Sequence, residues 1–388
     1  MNLKKSLVWG ALPWEPDGGA VVAYYQYRMM NYLEPSHEFH GIPKIPQYLE
    51  PKALPFMEFG KVDWFKQSDK EIYRYICQYM KNNAISILIL WHIPPKFFPI
   101  VNRIHKLGGK VLNWQTVHWE TDTFLKSPHL KDIDFWVAPT KWAKEQLHKV
   151  GGVKWNQIKY LPHAVNLEKY YPHDTAFRES LNLGKDQKVI LVVGRCSLAK
   201  GLHQVIPVMR PIIRDYNTVF IIKAGAYKEI TKSKEIAYII GKMSDRSPNI
   251  YWIDSWKEPE FMEELMASCD ILLQPSGHEG FDVPLIEAMA CMKPIAVTYI
   301  PNHWEILGER NRHCGVFMEP TQNTLMINEG SQMIKVPSSN VIEDTLRFML
   351  DNPDECKAMG ENGLKRARQN YNLAKISNEW LNLIDEFA

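Results

Sequence analysis

Short apolar runs alternate with amphipathic helical stretches along almost the whole chain. In the first half, runs at 6–12, 85–91, 110–116 and 135–139 read as strands, and stretches at 20–33, 69–83 and 96–107 read as helices. The last of these carries Phe97, Ile100, Val101, Ile104 and Leu107 on one face, with Lys96, Arg103 and Lys106 elsewhere. Such a basic amphipathic helix more often packs on its own sheet than on a membrane. The second half repeats the alternation: strands at 188–193, 218–223, 249–254, 270–274 and 294–298 are interleaved with helices at 202–216, 228–243, 259–268 and 283–291. From residue 340 the pattern is helical, with breaks near Asn352-Pro353 and at 370–372. Strands alternating with helices predict βαβ units and parallel sheets, hence an α/β protein of two doubly wound halves. The stretch 161–172 holds two prolines and no clean period, and reads as the linker between them.

Composition changes this picture little. The chain has 388 residues, 45% hydrophobic and 23% charged, enough for two cores and ordinary for a folded protein. The six cysteines form no C-x-x-C pair, which argues against a zinc site or a disulfide framework and for a reducing compartment. The N-terminal apolar run is too brief for a signal peptide, and no stretch approaches a membrane span. The expected location is cytoplasmic. Net charge is +2, but residues 1–165 carry +7 and the remainder −5. The basic half suits an anionic acceptor or the inner membrane face, and keeps peripheral membrane contact open. Near-neutral charge and the lack of a basic–aromatic motif speak against nucleic acid.

In open α/β sheets ligands sit beyond the carboxyl ends of strands, so loops after strands hold the candidates. One runs from Gly194-Arg195 to Lys200-Gly201, where two cations could converge beside a helix start to stabilise a departing diphosphate. Another runs from Gln274 through Glu279-Gly280-Phe281-Asp282-Val283 into a helix that contains Glu287. Its carboxylates suit sugar and ribose hydroxyls, and backbone N–H groups from Gly280 to Val283 can donate at the helix start. Glu287 stands among Leu285, Ile286, Ala288, Met289 and Ala290, where a buried acid is costly unless a ligand or partner meets it. A third loop carries His118.

The Glu279-x7-Glu287 stretch, with Lys293-Pro294 beyond it, resembles the donor signature of the retaining glycosyltransferases of family 4, and the likeness extends over most of the chain. That resemblance implies the GT-B fold: two Rossmann-like doubly wound domains facing each other across a cleft. Residues 1–165 would form the acceptor-side domain and 166–371 the nucleotide-sugar donor domain, with a helix at about 372–388 packing back on the first. It further implies that Glu279 contacts the donor sugar and Glu287 the ribose, that Arg195 and Lys200 bind the diphosphate, and that Gly280, Phe281, Asp282 and Val283 line the sugar. Gly18 and Gly19 would lie near the donor phosphates and His118 over the sugar. The implied reaction retains anomeric configuration, uses a UDP- or GDP-linked sugar and a glycan or lipid-linked acceptor, and needs neither metal nor other cofactor.

The chain also departs from that family. Asp282 and Lys293 stand where glycines are usual, and a Gly-Gly-x-x-Glu loop is replaced by Pro301-Asn302-His303-Trp304-Glu305. Two other readings share the architecture: a nucleotide-sugar epimerase, and a sugar-nucleotide-binding subunit without activity. A metal-dependent transferase would draw on Asp132-Ile133-Asp134, although carboxylates are ordinary at a strand entrance.

Overall fold

The computed structural model describes residues 4–10, 37–43, 58–59, 67–91, 93, 95–114, 117, 123–225, 231–255, 257, 259–308, 313–326 and 332–387. The chain forms two compact units, changing over between Ala164 and Val165 and again between Asn372 and Leu373. The first unit is built on a seven-stranded sheet of β1 (Lys4–Gly10), β2 (His37–Pro43), β3 (Glu58–Phe59), β4 (Ile87–Trp91), β5 (Lys110–Trp114), β6 (Phe135–Ala138) and β7 (Ile158–Tyr160). The strands lie in the order β3-β2-β1-β4-β5-β6-β7, every pair parallel. A parallel sheet must be covered on both faces, and this one is. Leu88, Leu90, Val111 and Trp136 face the helices Asp69–Asn82, Val101–Lys106 and Lys141–Lys149. On the other face, Ile87, Ile89, Leu112 and Trp114 meet Ile376, Trp380, Leu383 and Ile384 of the C-terminal helix Leu373–Phe387, whose apolar positions recur every three or four residues.

The second unit contains β8 (Lys188–Arg195), β9 (Thr218–Gly225), β10 (Ile250–Ile253), β11 (Ile271–Gln274), β12 (Ile295–Thr298) and β13 (Gly315–Met318) in the order β10-β9-β8-β11-β12-β13, again all parallel. A hairpin of β14 (Gln322–Met326) and β15 (Gln332–Val336) stands apart from that sheet. Every residue of β11 and β12 is buried, as expected of short apolar runs in the middle of a parallel sheet. The helix Val283–Ala290 is buried nearly all round, and Gly363 and Gly360 of the helix Pro353–Asn370 let that helix press onto Met289 and Met292. A Cβ at Gly360 would strike the Met292 carbonyl.

The structure revises several expected elements. The stretch 96–107 is a 3-10 segment, Pro95–Ile100, followed by a six-residue α-helix, Val101–Lys106. Pro99 lies inside the first segment and lacks the N–H that a continuous helix would use there. Strands β2, β3, β7, β13, β14 and β15 were not foreseen; β7 has only three residues, too few to show a period. The Asp132-Ile133-Asp134 carboxylates serve separate local bonds: Asp132 meets His129 at 3.0 Å, while Asp134 meets His105 at 2.8 Å and accepts from the Val111 N–H. The expected helix at 20–33 lies outside the described residues.

Candidate active site

The chain lays β9 and β10 to one side of β8 and β11 to β13 to the other. Strand order thus reverses between β8 and β11, and the connections leaving these two strands diverge, which opens a crevice at their carboxyl ends. Arg195 ends β8, and Glu279 follows β11 by five residues. The two loops flagged by the sequence therefore meet at the one reversal in this sheet.

Their approach is close. Gly201, at φ +67°, packs so tightly on Pro275 that a Cβ would collide with the Pro275 carbonyl. The Gly277 N–H donates to the Ala199 carbonyl at 2.9 Å, and Ser276 Oγ donates to the same oxygen at 3.2 Å. The Ser197 side chain accepts from the Lys200 N–H and starts the 3-10 turn Leu198–Lys200. That turn delivers Lys200 Nζ into an ion pair with Glu279 Oε1. Gly194 lies along the Lys200 methylenes, where a Cβ would make ordinary contact at 3.6 Å. The hairpin closes the other side: Ile334 and Val336 pack on Ala199, and a Cβ on Gly277 would strike the Lys335 carbonyl.

Charge in this crevice is strongly organised. Burial pushes the Glu279 carboxyl up, but Lys200, His303 and hydrogen bonds from Lys200 and Ser276 together outweigh it and hold the group at about 2. Glu279 is therefore an anion at neutral pH, already in place beside a partly exposed ammonium. Asp282 behaves in the opposite sense. Burial and then the Glu279 carboxylate push its carboxyl up, against His303 and Lys200.

Asp282 starts the helix Val283–Ala290 at φ +71° but makes no side-chain cap. Its carboxylate turns inward instead, where Oδ1 accepts from Gln274 Nε2 at 3.0 Å and Oδ2 lies 3.1 Å from His303 Nε2. His303 Nδ1 lies 2.9 Å from the Thr298 carbonyl. The neighbouring Asn302 donates through Nδ2 to the Glu279 carbonyl. Pro301 begins a short helix, Pro301–Leu307, so this segment presents buried side chains where a glycine loop would present bare amides. The Asp282 carboxylate thus faces inward, towards Gln274 and His303.

Glu287 is buried in the helix Val283–Ala290, with 3% of its surface exposed, and Phe281 stacks edge-on against Tyr371 at 6.0 Å. Gly280 and Val283 are buried in the same segment. Gly18, Gly19 and His118 lie outside the described residues. Among the described residues no cluster of three or more His, Cys, Asp or Glu side chains is spaced to hold a metal ion. Gln274, Asn302 and His303 went unrecognised as site residues in the sequence. Their one signal was polarity at positions next to apolar strands, where a buried amide or imidazole needs partners.

Residues 173–366, half the chain, match the family model for glycosyl transferases group 1. An uncharacterised glycosyltransferase of Methanocaldococcus jannaschii, MJ1607, is 24% identical over 44% of this chain and 44% of its own length. The processive diacylglycerol alpha-glucosyltransferase of Acholeplasma laidlawii is 24% identical over 56% of this chain and 69% of its own. Sucrose-phosphate synthase from Thermosynechococcus elongatus superimposes with a TM-score of 0.79 at 15% identity, covering 99% of both chains, a likeness of fold. The sheet reversal that joins Lys200 to Glu279 lies inside the matched segment, and the chain belongs to the group 1 glycosyl transferases, on the GT-B fold.

Proposed function

We propose that the chain is a retaining, metal-independent glycosyltransferase that moves a sugar from a UDP- or GDP-linked donor to a glycan or lipid-linked hydroxyl. The observation that carries this reading is the Lys200–Glu279 ion pair at the reversal between β8 and β11. Glu279 is ionised and buried, so it can accept hydrogen bonds from sugar hydroxyls without first losing a proton. Lys200 and Arg195 are the cations for the diphosphate, Glu287 is the acceptor for the ribose, and the segment from Gly280 to Val283 lines the sugar. In the reaction, the bond from the anomeric carbon to the diphosphate breaks and its electron pair stays with the diphosphate. The acceptor oxygen bonds to the same face of the sugar, and its proton passes to the departing phosphate. Lys200 and Arg195 stabilise the charge that builds there, a task a divalent ion performs in other transferases.

Lipid-linked acceptors are favoured by the basic first 165 residues, which suit an anionic bilayer surface, and by the diacylglycerol acceptor named for the Acholeplasma relative. No helix among the described residues is long and apolar enough to cross a membrane, so any membrane contact is peripheral in this reading. The test is incubation of the protein with UDP-, GDP- and ADP-sugars, with and without EDTA, following the anomeric signals by NMR. Release of free nucleotide with a product of unchanged anomeric configuration, in EDTA, is the expected result. Magnesium-reversible loss in EDTA would refute metal independence, and a changed sugar on an intact nucleotide would mean epimerisation.

A further inference from the structure

We propose that Asp282 and His303 share a single proton and thereby position Glu279 for turnover, acting as positioning residues behind the donor site. The inference rests on the reading of Glu279 as the sugar-binding carboxylate. It starts from the hydrogen-bond inventory of one imidazole. A carbonyl oxygen can only accept, so the 2.9 Å contact between His303 Nδ1 and the Thr298 carbonyl fixes a proton on Nδ1. In the neutral ring Nε2 then carries a bare lone pair, and it faces Asp282 Oδ2 at 3.1 Å. Two lone pairs at that distance repel; one proton between them makes the contact attractive. The contact is at ion-pair distance and neither atom has a hydrogen-bond partner, so with the two side chains 0% and 2% exposed an unshared lone pair on either atom is costly.

The backbone points the same way. A non-glycine residue at φ +71° is strained, and aspartate is among the few that tolerate it. At a helix start an aspartate ordinarily satisfies its own helix N–H groups, and Asp282 does not. Its carboxylate instead bridges Gln274 at the end of β11 and His303 after β12. These anchors enclose Glu279. Asn302, next to His303, holds the Glu279 carbonyl, and Lys200 holds its carboxylate. The charged groups facing the pair are Glu279 and Lys200; Gln274 and Thr298, from the two strands packed against it, are neutral. With one proton the pair carries no net charge beside the Lys200–Glu279 couple. When the proton leaves at high pH, an added anion faces Glu279 and the segment holding Asn302 is pushed away.

Three substitutions separate the possibilities. Asp282→Asn keeps the left-handed backbone accessible, accepts from Gln274 and donates a permanent N–H to His303 Nε2. Asp282→Gly relieves the backbone but removes both contacts, and His303→Phe removes the imidazole. The expected order is Asp282→Asn losing its alkaline limb and falling clearly less in kcat than the other two variants, both of which drop at least tenfold. Nucleotide Kd should stay within threefold throughout. Equal kcat for Asp282→Gly and wild type would overturn the proposal, as would Asp282→Asn falling as far as Asp282→Gly. If wild type turns over no donor, the reading of the site fails but the pair is still decided by 15N NMR of labelled histidine. With Nδ1 protonated, a His303 Nε2 signal displaced from that of a bare lone pair supports the shared proton, and an Nε2 signal at the bare value, or a ring protonated on Nε2 alone, refutes it. The same spectrum decides the matter if Asp282→Gly or His303→Phe does not fold.

Discussion

Gly201 and Gly194 flank the same loop, yet the structure assigns them opposite sensitivities. Gly201 sits at φ +67°, in the left-handed region, and a Cβ would collide with the backbone carbonyl of Pro275. Gly194 has no such conformation, and its added Cβ would touch only the flexible Lys200 side chain, at 3.6–3.8 Å. For Gly201→Ala, the left-handed backbone costs an alanine about 1–2 kcal/mol and overpacking against a fixed carbonyl adds about 1–3 kcal/mol. A central value of about 3 kcal/mol corresponds to roughly 6–12 °C in Tm for a unit of this size. Gly194→Ala should stay within about 1 kcal/mol, because restricting the unfolded chain offsets any small crowding.

Differential scanning calorimetry of the full chain checks both values. Pro275 belongs to the loop that carries Glu279, so the displacement in Gly201→Ala also separates Lys200 from its partner. Its kcat/KM, measured well below its own Tm, should therefore fall at least tenfold while Gly194→Ala keeps most of its activity. A Gly201→Ala protein melting within about 1 °C of wild type would refute the packing argument. One that melts low but turns over normally would show that the loop contact supports the fold without aligning the ion pair.

Three further outcomes are expected. Glu279→Ala should lower kcat far more than it weakens nucleotide binding measured by calorimetric titration; equal losses would remove Glu279 from the sugar. Lys200→Ala should slow turnover by about 10²–10³, the usual effect of removing one group that stabilises charge in the transition state, as read by nucleotide release. Because Glu279 is held at about 2, below its ordinary 4.5, its contribution to stability is complete above pH 4.5 and is lost as pH falls towards 2. Lys200→Met should sharply reduce that acid-side loss in Tm-versus-pH curves, since burial, which pushes the carboxyl up, is then opposed only by His303 and Ser276.

How far the sequence displays this molecule depends on the range of each contact. Runs such as 188–193 and 218–223 show their strand character locally, because a buried parallel strand needs little beyond an unbroken apolar stretch. Three-residue β7 and two-residue β3 carry no such signal and exist because neighbours offer a ladder. The apolar face predicted over 96–107 holds at the buried Phe97, Ile100, Val101 and Ile104 but not at Leu107, which is exposed, and the helix is not continuous, since the apolar recurrence is indifferent to the missing N–H of Pro99. Lys200 and Glu279 were each flagged by loop position and residue type, yet their pairing needed the sheet order, which local pattern does not encode.

Asp282 and His303 mark where sequence reasoning stops for a physical reason. Taken separately, Asp282 looks like a lost glycine and His303 like an ordinary residue just after the replaced glycine pair. A lone buried carboxylate at φ +71° is costly on two counts, and so is a buried imidazole with one nitrogen unsatisfied. Opposed at 3.1 Å with a proton between them, each removes the other's cost. Removing either side chain alone strands the other, so the pair behaves as one unit whose coupling only a double-mutant cycle can measure. Asp282→Asn and His303→Phe, combined, should cost clearly less than the sum of the same two single substitutions, because His303→Phe alone strands a buried carboxylate whereas the double variant leaves only an amide N–H unpaired. Additive losses measured by denaturant unfolding would mean that the two side chains stabilise the site independently, and the shared proton would have no energetic role.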